Sequence, residues 1–320
     1  LGSVTTIMIL VPIVLLIAGE LKIPPAPFII TMVIASNMGG AATMIGDPPN
    51  IMIGSATDFS FLDFIINLTP PVLAIMASSL GLIWLIYRKG MKVSNERRAK
   101  LMEYSESNLI RSKKLLLASL LVILLMLLAL TLQVPLQLET ATISMAAGLS
   151  LVLIGSRKKV EKILVNDIDW ITIFFFIGLF MIVEGLVATG FIDLLANSVT
   201  TLTGGNAKYT SLVILWLSGF FSAIIDNVPF VAAMIPMLEK LGASMPDPSQ
   251  VHPLWWSLAL GTCLGGNGTL IGASANIVAV GIANRNGFKI SFKDYTRIGA
   301  VFTLNSIILS TFYIWLRYYL

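Results

Sequence analysis

Five long stretches of the sequence carry no charged residue, and they limit the folds open to this chain more than any other feature. They span residues 64–87, 115–132, 140–156, 253–284 and 298–316. Roughly 20 helical residues cross a hydrocarbon core of about 30 Å, so stretches of this size can span a bilayer. Lipid cannot satisfy unpaired backbone groups, and these stretches do not alternate as β-barrel strands do. The sequence therefore predicts an all-α polytopic membrane protein, in agreement with its 56% hydrophobic and 12% charged residues.

The basic residues are concentrated in three segments, and their positions predict the topology. Of the 21 Lys and Arg residues, nine lie in segment 88–114, four in 157–162 and four in 285–297. Loops rich in Lys and Arg favour the cytoplasmic side, so we expect these three loops in the cytoplasm and the protein in the cell (inner) membrane. The connections expected outside are 56–66, 133–139, 189–208 and 239–252. The net charge of +4 thus reflects orientation in the membrane and does not indicate nucleic-acid binding.

An internal repeat organises the chain. The segment "GGAATMIGDPPNIM" (39–52) aligns without gaps with "GGNGTLIGASANIV" (265–278), with seven of fourteen positions identical at an offset of 226. Upstream, "GSVTTIMILVP" (2–12) aligns more weakly with "DNVPFVAAMIP" (226–236), in the same order. The predicted loops give the two copies opposite directions. We therefore expect inverted-topology repeats with broken transmembrane helices, an arrangement typical of secondary transporters.

Two apolar runs, 209–225 and 227–238, flank a polar tip that begins at Asp226. At about 1.5 Å per residue the second run would reach only about 18 Å, which is too short to cross the bilayer. We therefore expect a re-entrant hairpin with its tip near mid-membrane. The alternative is one continuous helix kinked at Pro229.

The repeat and the loops divide the chain into three parts. We expect residues 1–87 to be the C-terminal part of the first repeat, 88–114 a cytoplasmic linker and 115–320 the second repeat. The elements expected in the first part are a second hairpin arm, a broken helix at 23–55 and a helix at 64–87. Those expected in the second repeat are helices 115–132, 140–156 and 169–190, a hairpin at 209–241, a broken helix at 253–284 and a helix at 298–316. By comparison with the second repeat, we expect about a hundred further residues, equivalent to three helices and a hairpin arm, to precede the first.

The glycine-rich breaks carry the polar groups expected to hold a solute. Glycine adopts backbone conformations that other residues avoid, so the helices can unwind there and free carbonyl and amide groups. Freed carbonyls suit a cation, and the N-terminus of the resuming half-helix suits an anion or a polar neutral solute. The residues expected at this site are Gly39, Gly40, Thr43, Gly46, Asp47, Asn50, Gly265, Gly266, Asn267, Thr269, Gly272, Ser274 and Asn276. The two half-sites differ, because Asp47–Pro48–Pro49 stands where the second copy has Ala273–Ser274–Ala275.

Acidic residues at membrane depth are candidates for ion coupling, because a charge is costly there. Asp226 at the hairpin tip and Asp47 at the first break are the leading candidates, followed by Glu184 in "FFFIGLFMIVEGL". Each also has a structural interpretation: Asp226 could cap a helix, Asp47 could brace the unwound chain, and Glu184 could lie at the outer interface. Asp167 and Asp169 are expected at the cytoplasmic interface.

Three segments resemble a known family. "NMGGAATMIGDPPNIMIGS", "IIDNVPFVAAMIPML" and "CLGGNGTLIGASANIVAVGIANRNGFKISF" are similar to the ion transporter superfamily, in the branch of the ArsB/NhaD-type permeases and the melanosomal P protein. The resemblance implies a citrate-transporter-like domain with two hairpins and two broken helices around one site, often in a homodimer. It implies that Asp226, Asn227 and Val228 form the second hairpin tip. The first tip is degenerate, because Gly2–Ser3–Val4–Thr5 stands where the family has Asp-Asn-Val-Thr, leaving Ser3 and Thr5 as its polar groups.

The sequence favours a secondary active transporter, either a permease or an antiporter, that moves a small inorganic ion or a small anion. No Lys or Arg is expected at the site, which makes arsenite or antimonite efflux coupled to protons our first hypothesis. The alternatives are Na⁺/H⁺ exchange, anion or dicarboxylate transport, and a passive anion channel. No nucleophile–base or zinc-ligand spacing appears and the chain has one cysteine, so we expect no enzyme, no metal site and no cofactor beyond a coupling ion, H⁺ or Na⁺.

Overall fold

The computed structural model describes residues 2–88, 112–156, 160–166, 168, 170–245 and 247–320. Most of the predicted linker 88–114, part of the loop 157–162, and Asp167 and Asp169 lie outside these residues. The α-helices of the described residues, in chain order, are α1 (Ser3–Leu21), α2 (Ala26–Ala41), α3 (Pro48–Ala56), α4 (Phe61–Tyr87), α5 (Lys113–Thr131), α6 (Gln133–Leu136), α7 (Thr140–Ser156), α8 (Val160–Asn166), α9 (Trp170–Ala188), α10 (Phe191–Thr203), α11 (Ala207–Ile224), α12 (Asn227–Ser244), α13 (His252–Gly265), α14 (Ser274–Arg285) and α15 (Phe292–Tyr318). A short 3₁₀ helix at Pro248–Val251 precedes α13.

Several of these helices can cross a membrane. In the described part of the chain, five are long and apolar enough to do so: α1, α4, α5, α11 and α15. A sixth span would be formed by α9 and α10, which are bent by 68° at the break between them. The surfaces of these helices carry many exposed Leu, Ile and Phe side chains, as expected for contact with lipid. The prediction of an all-α polytopic membrane protein is therefore confirmed.

The two copies of the repeat correspond helix by helix. The series α1, α2, α3, α4 matches α12, α13, α14, α15 in order, and both copies end in a helix of 27 residues. Each of these final helices starts with a capping box. The Ser60 hydroxyl accepts from the Asp63 amide and the Asp63 carboxylate accepts from the Ser60 amide, and Ser291 and Asp294 repeat this pair. Reciprocal capping satisfies two amides that a helix start leaves free, so each final helix starts at a defined residue.

The helix α13 is the centre of the fold, since every residue from Pro253 to Gly265 is buried. It packs most closely against α11, where small residues let the two backbones meet. A Cβ added at Gly261 would lie 2.7 Å from the Leu215 carbonyl oxygen, and one added at Gly265 would lie 2.6 Å from the Gly219 carbonyl oxygen. Small residues at membrane helix interfaces allow this close van der Waals packing. The hairpin arm α11 is thereby held directly against the second broken helix.

We expect Gly261→Ala to destabilise the protein, because its new methyl group would meet backbone atoms of α11 that cannot move independently. Overpacking of this kind costs about 1–3 kcal/mol, so the melting temperature in detergent should fall by several degrees. The matched control is Gly81→Ala in α4, where no atom lies within 4 Å of the added Cβ. Equal melting temperatures for the two variants would show that α11 and α13 are not packed this closely.

The hairpin differs in one respect from the sequence prediction. Its second arm, α12, has 18 residues and continues to Ser244, so the predicted arm of about 18 Å is too short and the true length is about 27 Å. The charged residues near its end, Glu239 and Lys240, do not stop the helix because both are good helix formers. Lys240 also pairs with Asp193 of α10 at an exposed site. The length of α12 alone therefore does not require a hairpin.

The backbone at the tip rules out the kinked-helix alternative. Ile225 and Asp226 both have extended conformations, with ψ of 139° and 137°, so the helix ends before Pro229. Pro229 itself lies in the first turn of α12, where its missing N–H would have no helical partner. The two helices that flank the tip, α11 and α12, both pack against α13. The re-entrant hairpin itself stays a prediction.

The segment 189–208, predicted as an outer connection, contains the helix α10. Its buried residues, Ile192, Ala196, Val199 and Thr203, follow helical spacing along one face. The opposite face exposes Leu194 and Leu202. Amphipathic spacing of this kind is a helix signal that a search for uncharged runs does not detect.

Candidate functional site

The two breaks have the same internal structure, built around one asparagine in each copy. The Asn50 side-chain nitrogen donates to the carbonyl oxygens of Ala41, at 3.1 Å, and Thr43, at 3.0 Å. The Asn276 nitrogen donates to the carbonyl oxygens of Gly266, at 2.8 Å, and Thr269, at 2.9 Å. Both asparagines are fully buried. Each uses both of its N–H groups to hold the carbonyl oxygens that the unwound helix releases, which satisfies buried groups that would otherwise be unpaired.

Most glycines of the breaks are required for close approach, the exception being Gly39, where an added Cβ would meet no atom within 4 Å. A Cβ on Gly40 would lie 2.8 Å from the Gly46 carbonyl oxygen, and one on Gly272 would lie 2.8 Å from that of Gly266. Unusual backbone conformations were expected at these glycines, and that explanation is wrong. Among the described residues, the glycines with positive φ are Gly190, Gly204, Gly205 and Gly287, all outside the breaks. Each break folds back on itself so tightly that no side chain fits between its two ends.

Each copy also reaches across to the other. The Asn37 side-chain nitrogen donates to the Asn276 side-chain oxygen at 2.9 Å. The Cys263 thiol donates to the Asn50 side-chain oxygen at 3.5 Å. Asn37 and Cys263 are 226 residues apart and therefore occupy equivalent positions, two residues before the glycine pair of each break. The two breaks form one buried centre that is joined by a pair of symmetry-related contacts.

Asp47 lies in this centre and is 4% exposed. It accepts a hydrogen bond from the Asn227 side-chain nitrogen at 3.2 Å, which links the first break to the hairpin tip. The side chains of Ser3 and Cys263 lie next to the same carboxylate. The negative charge of Asp226 is near enough to repel that of Asp47. No Lys or Arg pairs with Asp47 in the part of the chain that the structure describes. A buried carboxylate in these surroundings can bind a proton or a small cation, either of which would neutralise it.

The hairpin tip adds a second carboxylate and a contact with the second break. Asp226 is half-buried and accepts from the Val228 amide at 3.1 Å, so it caps α12. The Asn227 amide donates to the Gly272 carbonyl oxygen at 3.3 Å. Asn227, 4% exposed, therefore touches the second break through its backbone and the first break through its side chain.

The structure brings together most of the residues that the sequence singled out, but some lie elsewhere. Asp47, Asn50, Asn227, Asn267 and Asn276 are buried at the centre. Gly39, Gly40, Thr43 and Gly46 line a separate cavity of about 350 Å³ on one side of the first break. Ser3 is buried beside Asp47, whereas Thr5 and Ser274 are exposed.

Two further residues that the sequence singled out have contacts beyond the buried centre, and their predicted roles stay predictions. The hydroxyl of Thr269 donates to the Ala223 carbonyl oxygen and so ties the second break to α11. Glu184 is exposed and lines an apolar cavity of about 650 Å³ between α3, α9 and α12, together with Glu239. Pro48, the residue after Asp47, lines the same cavity.

Sequence reasoning missed Asn37 and gave Cys263 no role in the site. A signal was present, because the alignment of the two glycine pairs extends upstream and places Asn37 opposite Cys263. The two residue types differ, so the alignment shows no identity there. Only the folded structure shows that both donate to the equivalent asparagine of the other copy.

The paired broken helices, the hairpin tip and the buried carboxylate define an integral multi-pass membrane transporter. The citrate transporter family (CitMHS) matches residues 1–261 of the chain, and the chain belongs to this family. It is 42% identical over 318 residues to a 46 kDa membrane protein of Mycobacterium leprae, an alignment that covers 99% of the chain and 74% of the relative. It is 40% identical over 322 residues to an uncharacterized transporter of Mycobacterium tuberculosis, covering 100% of the chain and 74% of the relative. The P protein of Mus musculus is 27% identical over 376 residues, covering 93% of the chain and 45% of that protein.

Proposed function

We propose that the chain forms the transport core of a secondary active transporter, in which the two breaks and the hairpin tip bind one solute and one coupling ion. The observation that carries this proposal is the buried carboxylate of Asp47, which lies between the two copies without a cationic partner among the described residues. In this proposal a proton or Na⁺ binds at Asp47 and the solute binds next to it. Membrane transporters commonly place such sites at discontinuous helices.

The two breaks differ in charge. This difference supports a proposal in which the ion binds at one break and the solute at the other. The first half-helix, α3, begins with Pro48 and Pro49, which have no N–H to offer, and Asp47 precedes them. The second, α14, begins after Ala273, which has no side chain that could cap it. A helix start with free amides favours an anion or a solute oxygen, while the carboxylate favours a cation. We therefore assign the coupling ion to the first break and the solute to the second.

The solute must suit a site without Lys or Arg among the described residues. A neutral oxyacid such as arsenous acid meets this condition directly, because its oxygens can accept from amides and its hydroxyls can donate to a carboxylate. Arsenite or antimonite efflux coupled to protons remains our first candidate. The family description favours a second candidate, a carboxylate such as citrate. Such an anion would need bound cations to offset its own charge.

A transport assay on the full-length protein in liposomes ranks these candidates. Uptake of arsenite, citrate and succinate would be measured under an imposed pH gradient and, separately, an imposed Na⁺ gradient. Our first candidate predicts arsenite movement that follows the pH gradient. Arsenite indifference combined with Na⁺-dependent pH changes would identify a Na⁺/H⁺ antiporter instead, and citrate movement would identify the second candidate.

The proposal also includes the orientation of the chain in the membrane and its assembly. The loops at 88–114, 157–162 and 285–297 would face the cytoplasm of the cell membrane, and two copies would form a homodimer. Labelling of single cysteines placed in these loops, from each side of the membrane, would test the orientation. Reaction from the outside would contradict it.

We expect Asp226→Asn to reduce gradient-driven uptake at least tenfold. Asparagine caps a helix as well as aspartate does, so α12 should keep its start and the variant should fold. The lost charge removes one of the two carboxylates at the centre, and a tenfold change corresponds to about 1.4 kcal/mol. Undiminished gradient-driven uptake would remove Asp226 from the coupling mechanism.

A further inference from the structure

The centre of the protein contains a chain of side-chain amides whose directions are fixed by backbone carbonyl oxygens. The chain begins at Asn276, whose nitrogen donates to the carbonyl oxygens of Gly266 and Thr269. A carbonyl oxygen can only accept, so the nitrogen of Asn276 must face these two atoms. The Asn276 side-chain oxygen must then face Asn37.

The same reasoning fixes the next two members of the chain. The Asn37 atom that meets the Asn276 oxygen must be the nitrogen, and the two lie 2.9 Å apart. The second N–H of Asn37 donates to the Asn267 side-chain oxygen, also at 2.9 Å. Asn267 must therefore present its oxygen to Asn37 and its nitrogen away from it. All three residues are at most 2% exposed, so water does not compete for these bonds.

The last nitrogen of this chain has no partner. Within the described part of the protein, the Asn267 side-chain nitrogen is buried and makes no hydrogen bond. A buried amide donor without a partner is unfavourable by about 1–3 kcal/mol, and such groups in native proteins call for an explanation such as a bound ligand. Asn267 lies beside the first turn of α14, because Asn37 holds both Asn267 and Asn276. This is the helix start to which the solute was assigned above.

We propose that Asn37 is a positioning residue, which holds the side-chain amide of Asn267 so that both of its N–H groups stay free to bind an oxygen of the transported solute. The ligand chemistry is an oxyacid or carboxylate oxygen, because two N–H groups can bind an acceptor and cannot bind a cation. In the symmetry-related half of the centre, Ala41 of the first copy stands in the place of Asn267, and Cys263 of the second copy stands in the place of Asn37. The amide donor therefore exists in only one half of the site. The ligand in this inference rests on the proposed transport function. The position of the Asn267 amide rests on the hydrogen bonds alone.

Thermal unfolding of the full-length protein in detergent tests the geometry without any ligand. Asn37→Leu removes the donor from two buried oxygens, so the melting temperature should fall by about 3 °C or more. Asn267→Leu removes two N–H groups that have no partner among the described residues, and it leaves one N–H of Asn37 without its acceptor. Its melting temperature should therefore fall by less than half of the decrease for Asn37→Leu. A decrease for Asn267→Leu equal to that for Asn37→Leu would overturn the proposal, because the Asn267 nitrogen would then have a structural partner.

Transport kinetics test the positioning role. Asn37→Asp keeps the size of the side chain but accepts instead of donating, so the Asn267 amide should turn and spend its N–H groups on the introduced carboxylate. We expect KM to rise at least tenfold with a smaller change in Vmax, using arsenite and citrate as separate probes. If the wild-type protein transports arsenite, the bound oxygen belongs to an oxyacid. If it transports citrate, the bound oxygen belongs to a carboxylate. The matched control is Asn305→Asp, because the Asn305 nitrogen is also unpartnered but its oxygen accepts from Ser78, between α4 and α15.

The outcomes separate the two proposals. An unchanged KM in Asn37→Asp, or an equal rise in Asn305→Asp, would overturn the role of Asn37. If the wild-type protein carries neither arsenite nor citrate, the proposed solutes fail, and the melting temperatures of the leucine variants still decide whether the Asn267 nitrogen is free.

Discussion

Asp47→Asn should abolish gradient-driven uptake while leaving the protein folded. The side-chain oxygen of the introduced asparagine can still accept from Asn227, so the link between the first break and the hairpin tip is kept. The variant loses the buried charge of Asp47, which a proton or Na⁺ would neutralise. We expect uptake driven by an ion gradient to fall at least about 100-fold, which corresponds to about 2.7 kcal/mol of lost interaction.

Counterflow provides the control for this prediction. Exchange of labelled for unlabelled solute needs no net ion movement, so a variant that has lost only the ion site should still exchange the solute. Asp58→Asn is a matched substitution, because Asp58 lies in the exposed connection between α3 and α4. Gradient-driven uptake by Asp47→Asn at the wild-type rate would show that this carboxylate does not bind the coupling ion.

The second large effect concerns the asparagines that brace the breaks. Asn50→Leu should leave the carbonyl oxygens of Ala41 and Thr43 buried and unpaired, and Asn276→Leu should do the same to Gly266 and Thr269. Side-chain hydrogen bonds in membrane proteins average only about 0.6 kcal/mol, because the unfolded helices find other partners in the membrane. Here both accepting carbonyls lie in an unwound segment, so we place the loss higher, at about 2–4 kcal/mol for each variant. The melting temperature should fall by about 3–6 °C and transport should be lost.

The control for the bracing asparagines is Asn286→Leu. Asn286 is exposed after α14, and its side-chain nitrogen donates to the Ile282 carbonyl oxygen in the turn before it. Water can replace this bond, so the change should be small. Similar melting temperatures for Asn50→Leu, Asn276→Leu and Asn286→Leu would mean that the breaks keep their shape without the asparagines.

The sequence predicted the helical class and the repeat because both depend on local chemistry. Uncharged runs mark helices that cross lipid, and the shared glycines and asparagines mark the two breaks. The reason why glycine is needed at the breaks could not be predicted in this way. Their close approach depends on how residues 40 and 46, or 266 and 272, meet after the chain folds back, and no single segment shows that contact.

The site was only partly predictable for a similar reason. Asp47, Asn50 and Asn276 were identified because they are polar residues within a repeated segment. Asn37 lies in the apolar part of α2, and its role comes from contacts with residues more than 200 positions away. The sequence could not show which surface Glu184 faces, and the fold places it at the wall of an apolar cavity that Pro48 also lines. Its coupling role stays a prediction.

We propose above that ion binding at the buried centre drives solute movement. The most direct measurement is the accumulation ratio of the solute in liposomes that contain the full-length protein, with and without an ionophore that collapses the driving gradient. We expect accumulation above the outside concentration, complete loss of that accumulation with the ionophore, and no accumulation for Asp47→Asn. Movement that stops at equal concentrations in the wild-type protein and does not respond to the ionophore would contradict it and indicate a passive channel.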